Sequence, residues 1–440
     1  MGQEITSIEA AHDWLSRQTS HQLRPGFDRM RHALSLLGQP QASLPSIIQL
    51  AGTNGKGSTL AYLQGLFISQ GLRVGAFSSP HILAFNERLM VSGQPIEDEK
   101  LVELVRTMVE LNEKLIAQDW GPLSGFELYT VMMLVYFSQC QLDVCLIEVG
   151  VGGLWDCTNV LEADMALITT IGYDHQDRLG HSLAEIAQQK FGIIKTKTGI
   201  VGLGRLPQEA LAVLPEILVN LNFQGEIMRL GWDYHVTPVQ EGRGLSKRNW
   251  QVTLPSGRHF DQVTIAMLGQ HQGDNLALAL ASFEAWMNQM KREIDWNQAL
   301  AALEQVSWQG RLECLSHEPL IMVDGAHNSQ GLQALDKFLT HDLADYQVTV
   351  IFAGLKRKDQ ASHLTYLHKW AEEGMAVYLS TFDYPGAMAQ ADWQAQTALP
   401  FLDWQPKLVD YQAGQKQAKN ALILTGSLFV YFNTILLFIS

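Results

Sequence analysis

A glycine-rich run near the start of the chain carries the clearest chemical signal in the sequence. An apolar stretch at residues 47–51 precedes this run and a helical pattern follows it. A strand, a glycine turn and a helix in that order direct backbone N–H groups and the helix dipole at a phosphate. Leu50 stands where the usual G-x-x-x-x-G-K-S/T pattern has its first glycine, but the order of elements still predicts phosphate binding rather than a structural turn. The predicted phosphate-binding residues are Gly52, Thr53, Asn54, Gly55, Lys56, Gly57, Ser58 and Thr59.

Individual side chains add chemistry to this loop. Lys56 would bring a positive charge to the β- and γ-phosphates, and the hydroxyl of Ser58 could reach a Mg²⁺ ion. Glu148 ends a second apolar run and is followed by glycines, a position where α/β folds bind ligands. His175 follows a third apolar run. Lys190, in a helical stretch, could be an ordinary cation near the negative end of a helix dipole.

The elements that must position these residues form an alternating pattern. Short β-rich runs alternate with helical stretches, which is typical of parallel sheets with crossover helices. The predicted strands are at 47–51, 74–78, 144–149, 165–171 and 200–203, and the predicted helices include 58–70, 126–139 and 183–189. A hairpin is predicted at 250–254 and 259–267, followed by a helix at 274–287. The alternation restarts with strands at 320–323, 348–353, 376–380 and 422–424.

This pattern predicts two α/β domains. The 440 residues are too many for one ordinary core. We expect an ATP-binding domain with a mostly parallel sheet at 1–304 and a smaller Rossmann-like α/β domain at 305–440, with the nucleotide in the cleft between them. The boundary falls near residues 304–312.

Composition excludes some classes of function. The net charge of −14 argues against a nucleic-acid binder, because phosphate contacts need a basic surface. Four cysteines without a C-x-x-C pair or an apolar signal sequence predict reduced thiols and a cytoplasmic location. Residues 421–439 carry no charge and are long enough to span a bilayer, but Thr425, Gly426 and Ser427 interrupt them. We therefore expect a buried strand, a turn and a terminal apolar helix after Phe429, and no membrane partner.

The motifs together resemble the folylpolyglutamate synthase/dihydrofolate synthase family, a branch of the Mur ligase superfamily. The loop at 52–58 resembles the phosphate loop of this family, and further motifs follow in the family's order over nearly the whole chain. These motifs are Pro25-Gly26, Leu37-Gly38, Ser78-Ser79-Pro80-His81, Asn86-Glu87-Arg88, Phe126-Glu127, Glu148-Val149-Gly150, Asp174-His175, Gly310-Arg311-Leu312-Glu313 and Asp324-Gly325-Ala326-His327-Asn328. The resemblance implies ATP-dependent addition of L-glutamate to the γ-carboxylate of a tetrahydrofolate polyglutamate through an acyl-phosphate.

The resemblance also implies the metal site and the nucleotide site. Ser58, Ser79 and Glu148 would bind Mg²⁺, and His175 would hold a second Mg²⁺ with a carbamylated Lys190. A monovalent cation is a further candidate. Arg311 and Asp324 would hold ATP from the second domain, and His327 would contact the phosphate. Near the nucleotide, Asn275 could read the adenine edge, while Asp274 could equally be a plain helix N-cap. The residues assigned to catalysis are Lys56, His175, Lys190 and His327.

The folate and glutamate sites are implied in the same way. Phe126 and Trp155 could stack on a pterin, although such aromatic residues are often core. The full set assigned to substrate binding is Ser79, Pro80, His81, Arg88, Phe126, Trp155, Asp156, His327 and Ser427.

The sequence departs from the family pattern at four positions: Leu154 stands for Arg, Cys157 for Ala, Phe191 for Ala and Ser329 for Pro. Because relatives have residue 154 near the pterin, the loss of a cation there argues against dihydrofolate synthase activity more than against polyglutamylation.

Three alternatives remain open. The first is a bifunctional dihydrofolate synthase/folylpolyglutamate synthase. The second is a Mur-type cell-wall ligase, which the short stretch of 51 residues before Gly52 disfavours. The third is a nucleotide-binding protein without catalysis, against which the retained Glu148, His175 and Lys190 argue. We expect small-molecule substrates and a monomer.

Overall fold

The structure, a computed structural model, describes residues 5–18, 26–239, 244–413 and 419–427. Its strands are β1 Ser46–Ala51, β2 Val74–Phe77, β3 Leu89–Val91, β4 Gln94–Pro95, β5 Val144–Glu148, β6 Met165–Ile168, β7 Ile200–Leu203, β8 Glu226–Arg229, β9 His235–Pro238, β10 Arg248–Thr253, β11 His259–Ile265, β12 Glu313–His317, β13 Leu320–Asp324, β14 Gln347–Ala353, β15 Ala376–Ser380 and β16 Asn420–Gly426.

Helices lie between most of these strands. They are α1 Ile8–Arg17, α2 Asp28–Leu36, α3 Lys56–Ser69, α4 Asp98–Ala117, α5 Gly125–Gln139, α6 Gln176–Leu179, α7 Leu183–Phe191, α8 Gln208–Leu211, α9 Leu214–Asn220, α10 His271–Gln289, α11 Trp296–Leu303, α12 Ser329–Lys337, α13 Gln360–Glu372, α14 Gln390–Gln394 and α15 Trp404–Ala413.

The larger sheet is built around β1, which leads into the phosphate loop. Its strand order is β4-β3-β2-β5-β1-β6-β7-β8, with antiparallel pairing between β2 and β3 and between β3 and β4 and parallel pairing between all other neighbours. Ile48 and Leu50 pack into one hydrophobic cluster with α3 and α10, and Ile47 packs into the cluster on the opposite face with α4 and α5. This alternation explains the apolar run in the sequence, because a central parallel strand is buried on both faces.

The second sheet repeats this architecture on a smaller scale. Its order is β12-β13-β16-β14-β15, with β12 antiparallel at one edge and the other pairs parallel. Two hydrophobic clusters cover its faces. The prediction of a mostly parallel sheet followed by a smaller α/β unit is therefore confirmed. We call these the large unit and the second unit. The chain passes between them after α11, so the predicted division at 304/305 stays a prediction.

The predicted hairpin is also confirmed. Strands β10 and β11 pair antiparallel, and β9 joins them to make a three-stranded sheet that packs on the same cluster as α10.

Most predicted boundaries differ from the structure by no more than two residues, and two differ by three, both next to the phosphate loop. Strand β6 ends at Ile168 rather than at residue 171, because the backbone then turns to meet the loop through Thr170. Helix α10 begins at His271 with Gln270 at its N-cap position, so Asp274 lies in the first turn and does not cap the helix.

The C-terminal strand is confirmed as β16, buried at the centre of the second sheet. The apolar helix predicted after Phe429 lies outside the described residues, as does Pro25. No helix within the described ranges has the length and apolar character needed to cross a bilayer.

Candidate active site

The phosphate loop connects β1 to α3 and is held in place by a distant segment. Thr53 N donates to Thr170 O at 2.8 Å, and Asn54 N donates to Thr170 Oγ1 at 2.9 Å. The Thr53 hydroxyl accepts from Gly172 N at 3.0 Å. Gly55 has φ of 87°, a left-handed conformation that favours glycine, and a Cβ there would also meet the side chain of Asn275. The loop is therefore shaped before any phosphate arrives.

Lys56 folds back over this loop. Its Nζ donates to Gly52 O at 3.0 Å and lies 3.9 Å from Glu148 Oε1. Ser58 is buried one turn into α3, where its hydroxyl accepts a 3.3 Å hydrogen bond from Gln272. Lys56, Ser58 and Glu148 thus converge, as the sequence predicted, although they come from two strand ends.

Thr59 does not join them. It is fully buried in α3, and its hydroxyl has no hydrogen-bond partner among the described residues. Thr59 faces the core because it lies a quarter turn around the helix from Ser58. It does not line the cavity, so its predicted phosphate contact is not supported by this geometry.

Glu148 is a buried carboxylate next to the Ser79 loop. Its Oε2 accepts from Ser79 N at 3.1 Å. Burial raises the pKa of this carboxyl above its ordinary value, and the Lys56 charge and the Ser79 N–H offset part of that rise. A charged oxygen in such a place is favourable only with a cation close by.

His175 and Lys190 are the predicted pair for a second metal. His175 adopts φ of 49°, a strained value for histidine, at the N-terminus of α6. Burial lowers the pKa of His175 to about 3, so its imidazole is neutral. Burial together with the nearby Lys56 charge lowers the pKa of Lys190 to about 7. Among the described residues, no group of three or more His, Cys, Asp or Glu side chains forms a metal cluster.

The second unit contributes the opposite wall. Asp324, at the end of β13, accepts hydrogen bonds from Leu312 N and Ala326 N, both at 2.9 Å. His327 Nδ1 lies 2.8 Å from Gly325 O, and His327 Nε2 lies 3.4 Å from a carboxylate oxygen of Asp174. Ser427 follows β16, and its N–H donates to Ala353 O at 2.9 Å.

All the predicted site residues except Thr59 line one cavity. It has a volume of about 1600 Å³ and lies between the carboxyl ends of both parallel sheets. It includes Arg311 and Asp324 from the second unit and Asn275 from α10. The side chain of Asn275 donates to Gln272 Oε1 at 3.0 Å, and the carboxylate of Asp274 pairs with Arg205 at 2.9 Å.

The predicted folate-binding residues line the same cavity. Arg88 Nε donates to His81 Nδ1 at 2.7 Å, and the guanidinium stacks 4.9 Å from the ring centre of Tyr129. Burial lowers the pKa of His81 to about 3 and that of Arg88 to about 10. The Arg88 hydrogen bond therefore leaves Nε2 of the neutral His81 ring as its N–H donor.

Aromatic and acidic residues line the cavity as well. Phe126 packs 6.0 Å from Phe77, and Trp155 is 53% exposed and stacks on Phe27. Asp156 is buried and accepts from Val151 N and Thr158 N. Pro80 lines the cavity beside them.

Leu154 differs from the sequence-based interpretation. Its N–H donates to Gln189 O at 2.6 Å, and its side chain packs against Gly192 at the end of α7. It does not line the cavity. The leucine itself makes no contact with the cavity, and the inference that it removes a cation from the pterin site stays a prediction.

Sequence reasoning missed Lys358 and the role of Asp174. Lys358 Nζ lies 2.5 Å from Asp174 Oδ1, and Asn328 Nδ2 donates to Asp174 Oδ2 at 3.1 Å. The signal available for Lys358 was its position in a polar loop directly after the predicted strand at 348–353. Asp174 was visible only as the neighbour of His175.

Fold and site together define a phosphate-loop enzyme in which two α/β units share one cavity. No family model matches the chain. The dihydrofolate synthase/folylpolyglutamate synthase of Bacillus subtilis is 30% identical over 439 residues, 97% of either chain. The folylpolyglutamate synthase of Lacticaseibacillus casei is 32% identical over 406 residues, covering 91% of this chain and 92% of that one.

Solved structures agree. A folylpolyglutamate synthase complex with AMPPCP and folate superposes with a TM-score of 0.86 at 27% identity, covering 99% of this chain and all of the other. The chain belongs to the folylpolyglutamate synthase/dihydrofolate synthase family.

Proposed function

We propose that the chain is an ATP-dependent ligase that adds L-glutamate to the γ-carboxylate of tetrahydrofolate polyglutamates. One observation carries the proposal. Lys56 and Glu148 of the large unit line a single cavity together with Asp324 and His327 of the second unit, and Arg88 and aromatic rings line the same cavity. The relatives named above are folylpolyglutamate synthases or dihydrofolate synthases.

The reaction has two steps. The γ-phosphoryl group of ATP passes to a carboxylate oxygen of the folate tail, which forms an acyl-phosphate and ADP. The amine of glutamate then attacks the acyl carbon, loses a proton and expels phosphate, which leaves an amide. Lys56 balances charge on the transferred group, His327 contacts it from the second unit, and a closed cavity protects the acyl-phosphate from water.

The residues around Glu148 fit a Mg²⁺ ion. Glu148 Oε1 lies 3.9 Å from the Lys56 ammonium, and the carboxylate is buried. A carboxylate and the hydroxyls of Ser58 and Ser79 are the hard oxygen ligands that Mg²⁺ prefers. When bound there, the ion would neutralise negative charge on the triphosphate.

Lys190 fits carbamylation. At neutral pH a lysine with a pKa of about 7 is partly a free amine, and this form can add CO₂ and release a proton. The carbamate would supply an anionic oxygen beside the neutral His175. Nuclear magnetic resonance with isotopically labelled bicarbonate tests this: a carbamate signal in the wild type should vanish in Lys190→Arg. A signal that survives in this variant would contradict the proposal for Lys190.

Dihydrofolate synthase activity is a second candidate. Leu154 packs against Gly192 and does not line the cavity, so the departure from the family pattern at this position does not by itself argue against a pterin substrate. The Bacillus subtilis relative carries both activities in its name. We therefore include dihydropteroate among the candidate substrates.

The first test is ADP release by the purified chain with Mg·ATP and glutamate. One reaction receives tetrahydrofolate and the other receives dihydropteroate. Turnover with tetrahydrofolate supports the proposal, and turnover with both supports the bifunctional form. No release above the rate without a folate substrate would contradict it and favour a nucleotide-binding protein. We further propose that the chain acts as a cytoplasmic monomer, for which light scattering of the purified protein is the check.

A further inference from the structure

A cluster of polar side chains joins the two units beside the phosphate loop. Asp174 lies in the large unit, and Lys358, His327 and Asn328 lie in the second unit, in loops that follow β14 and β13. We name these four residues the Asp174 clasp.

Asp174 is the centre of this clasp because its donors come mainly from the other unit. Oδ1 accepts from Lys358 at 2.5 Å, and Oδ2 accepts from Asn328 at 3.1 Å with His327 Nε2 at 3.4 Å. The side chains of Asp174 and Lys358 are only 8% and 10% exposed. A buried ion pair of this kind stabilises little, but removal of one member leaves a buried charge without its partner.

The clasp is connected directly to the phosphate loop. The side-chain amides of Asn54 and Asn328 exchange two hydrogen bonds, both of 3.1 Å. Gln330, in the same helix as the Asn328 cap, donates to Ile171 O at 2.9 Å. Asn54 thus uses its side chain to contact the second unit rather than to point at a phosphate.

We propose that Asp174 is a positioning residue for the ligase reaction, because it holds Lys358 and His327 of the second unit over the phosphate loop. This inference rests on the proposed function. The loop after β14 carries the Lys358 ammonium into a space near the Lys56 ammonium, and Asp174 supplies the carboxylate that pairs with Lys358. Without this carboxylate, Lys358 would be repelled by Lys56, Asn328 and His327 would lose their contact with the large unit at this point, and the second unit would lose its register with the loop.

Hydrogen exchange tests the positioning without reference to catalysis. In full-length Asp174→Asn and Lys358→Met, amides at 325–328 and 355–359 should exchange faster than in the wild type. Strands of the large unit should be unchanged. Asp143→Asn is the matched control, because it breaks the Arg292 ion pair in the large unit at 2.9 Å and away from the cavity. Unchanged exchange at 355–359 in Asp174→Asn would overturn the proposal even if the protein proved not to be a ligase.

Kinetics then test the consequence. Displacement of a catalytic group by about 1 Å can cost about 100-fold in rate, so we expect Asp174→Asn to lower kcat about 100-fold. The double variant with Lys358→Met should be no slower than the slower single variant, because both break the same contact. Multiplicative losses, or a loss of kcat without faster exchange, would mean that Asp174 acts elsewhere, for example through the adjacent His175.

Discussion

The two walls of the cavity are built in different ways. On the large-unit side, the phosphate loop is one continuous run between β1 and α3, with Lys56 at the first position of the helix. On the second-unit side, the contacts come from three separate strand ends, at Asp324, Ala353 and Gly426. The phosphate loop is a motif that local sequence indicates, although Thr170 and Gly172 fix its final shape, whereas the second-unit wall has no single motif and exists only after the sheet has assembled.

This difference shows which part of an active site can be predicted from the sequence. A phosphate is recognised mainly by backbone N–H groups, whose geometry depends on nearby glycines. Whether a charged donor such as Lys358 reaches the site depends on whether the strand order brings its loop next to the cavity. The following changes test how far that contrast holds, beginning with the largest expected effect.

Lys56→Ala should remove the main charge of the motif-defined wall. Loss of one donor that stabilises developing charge typically costs about 100- to 1000-fold in kcat, and we expect a loss in the upper part of that range. Among the described residues its polar partners are Gly52 O and the buried Glu148, so the protein should still fold, with a lower thermal midpoint because Glu148 loses a paired cation. ADP release and thermal unfolding measure both effects. Lys100→Ala, at an exposed ion pair, is the control, and near-normal turnover by Lys56→Ala would refute the assignment.

Gly57→Ala tests whether the phosphate loop depends on a contact with the segment between the two units. A Cβ at this position would collide with the indole of Trp308, which lies in the segment between the units. Overpacking of this type costs about 1–3 kcal/mol of stability, and we expect a weaker affinity for ATP as α3 shifts. Urea unfolding and the KM for ATP are the measurements. The double variant Gly57→Ala/Trp308→Ala should recover part of the loss, whereas an equal or larger defect would mean that the indole is not the obstacle.

His363→Gln probes the second unit through pH. His363 is buried against Phe352 and lies 2.9 Å from His327 O. Burial lowers its pKa below the ordinary 6.5, so on acidification the unfolded chain binds a proton that the folded one does not. Stability is therefore lost as pH falls below that value, by up to about 1.4 kcal/mol per pH unit.

The glutamine cannot be protonated, so its curve of unfolding free energy against pH should be flatter than that of the wild type. Urea unfolding at about pH 7.5 and about pH 5.5 brackets the range in which histidine titrates. Parallel curves for the two proteins would show that His363 does not contribute to the acid sensitivity.

Leu154→Arg should have the smallest effect. Because the side chain lies against Gly192 and outside the cavity, restoring an arginine should change the ratio of turnover with dihydropteroate to turnover with tetrahydrofolate by no more than about twofold. The stem of an arginine can cover the same apolar surface. A larger gain in turnover with dihydropteroate alone would show that the residue at position 154 contributes to the pterin site.

Sequence reasoning went furthest where structure is local. Apolar runs located β1, β5, β7, β13, β14, β15 and β16, and a glycine-rich turn located the phosphate loop. It did not predict that the side chains of Thr59 and Leu154 lie outside the cavity, since the direction of a side chain depends on which neighbours the fold supplies.

The Asp174 clasp could not be predicted from the sequence for a related reason. Asn328 and Lys358 contact Asp174 across 154 and 184 residues of chain. Nothing in their spacing indicates contact, because the order β13-β16-β14 alone brings their loops together. The boundary of β6 was also wrong for this reason, since Thr170 is turned towards a loop 116 residues earlier.

That last contact has a consequence for synthesis of the protein. Strand β1 is made early, but its two neighbours in the sheet are β5 and β6, and the loop backbone depends on Thr170 and Gly172. A ribosome must therefore have released more than a third of the chain before the loop can take its final shape. Before β5 and β6 have been made, the nascent chain exposes an apolar strand with both edges unpaired. Such a strand is prone to aggregate, so a chaperone would matter most in this interval.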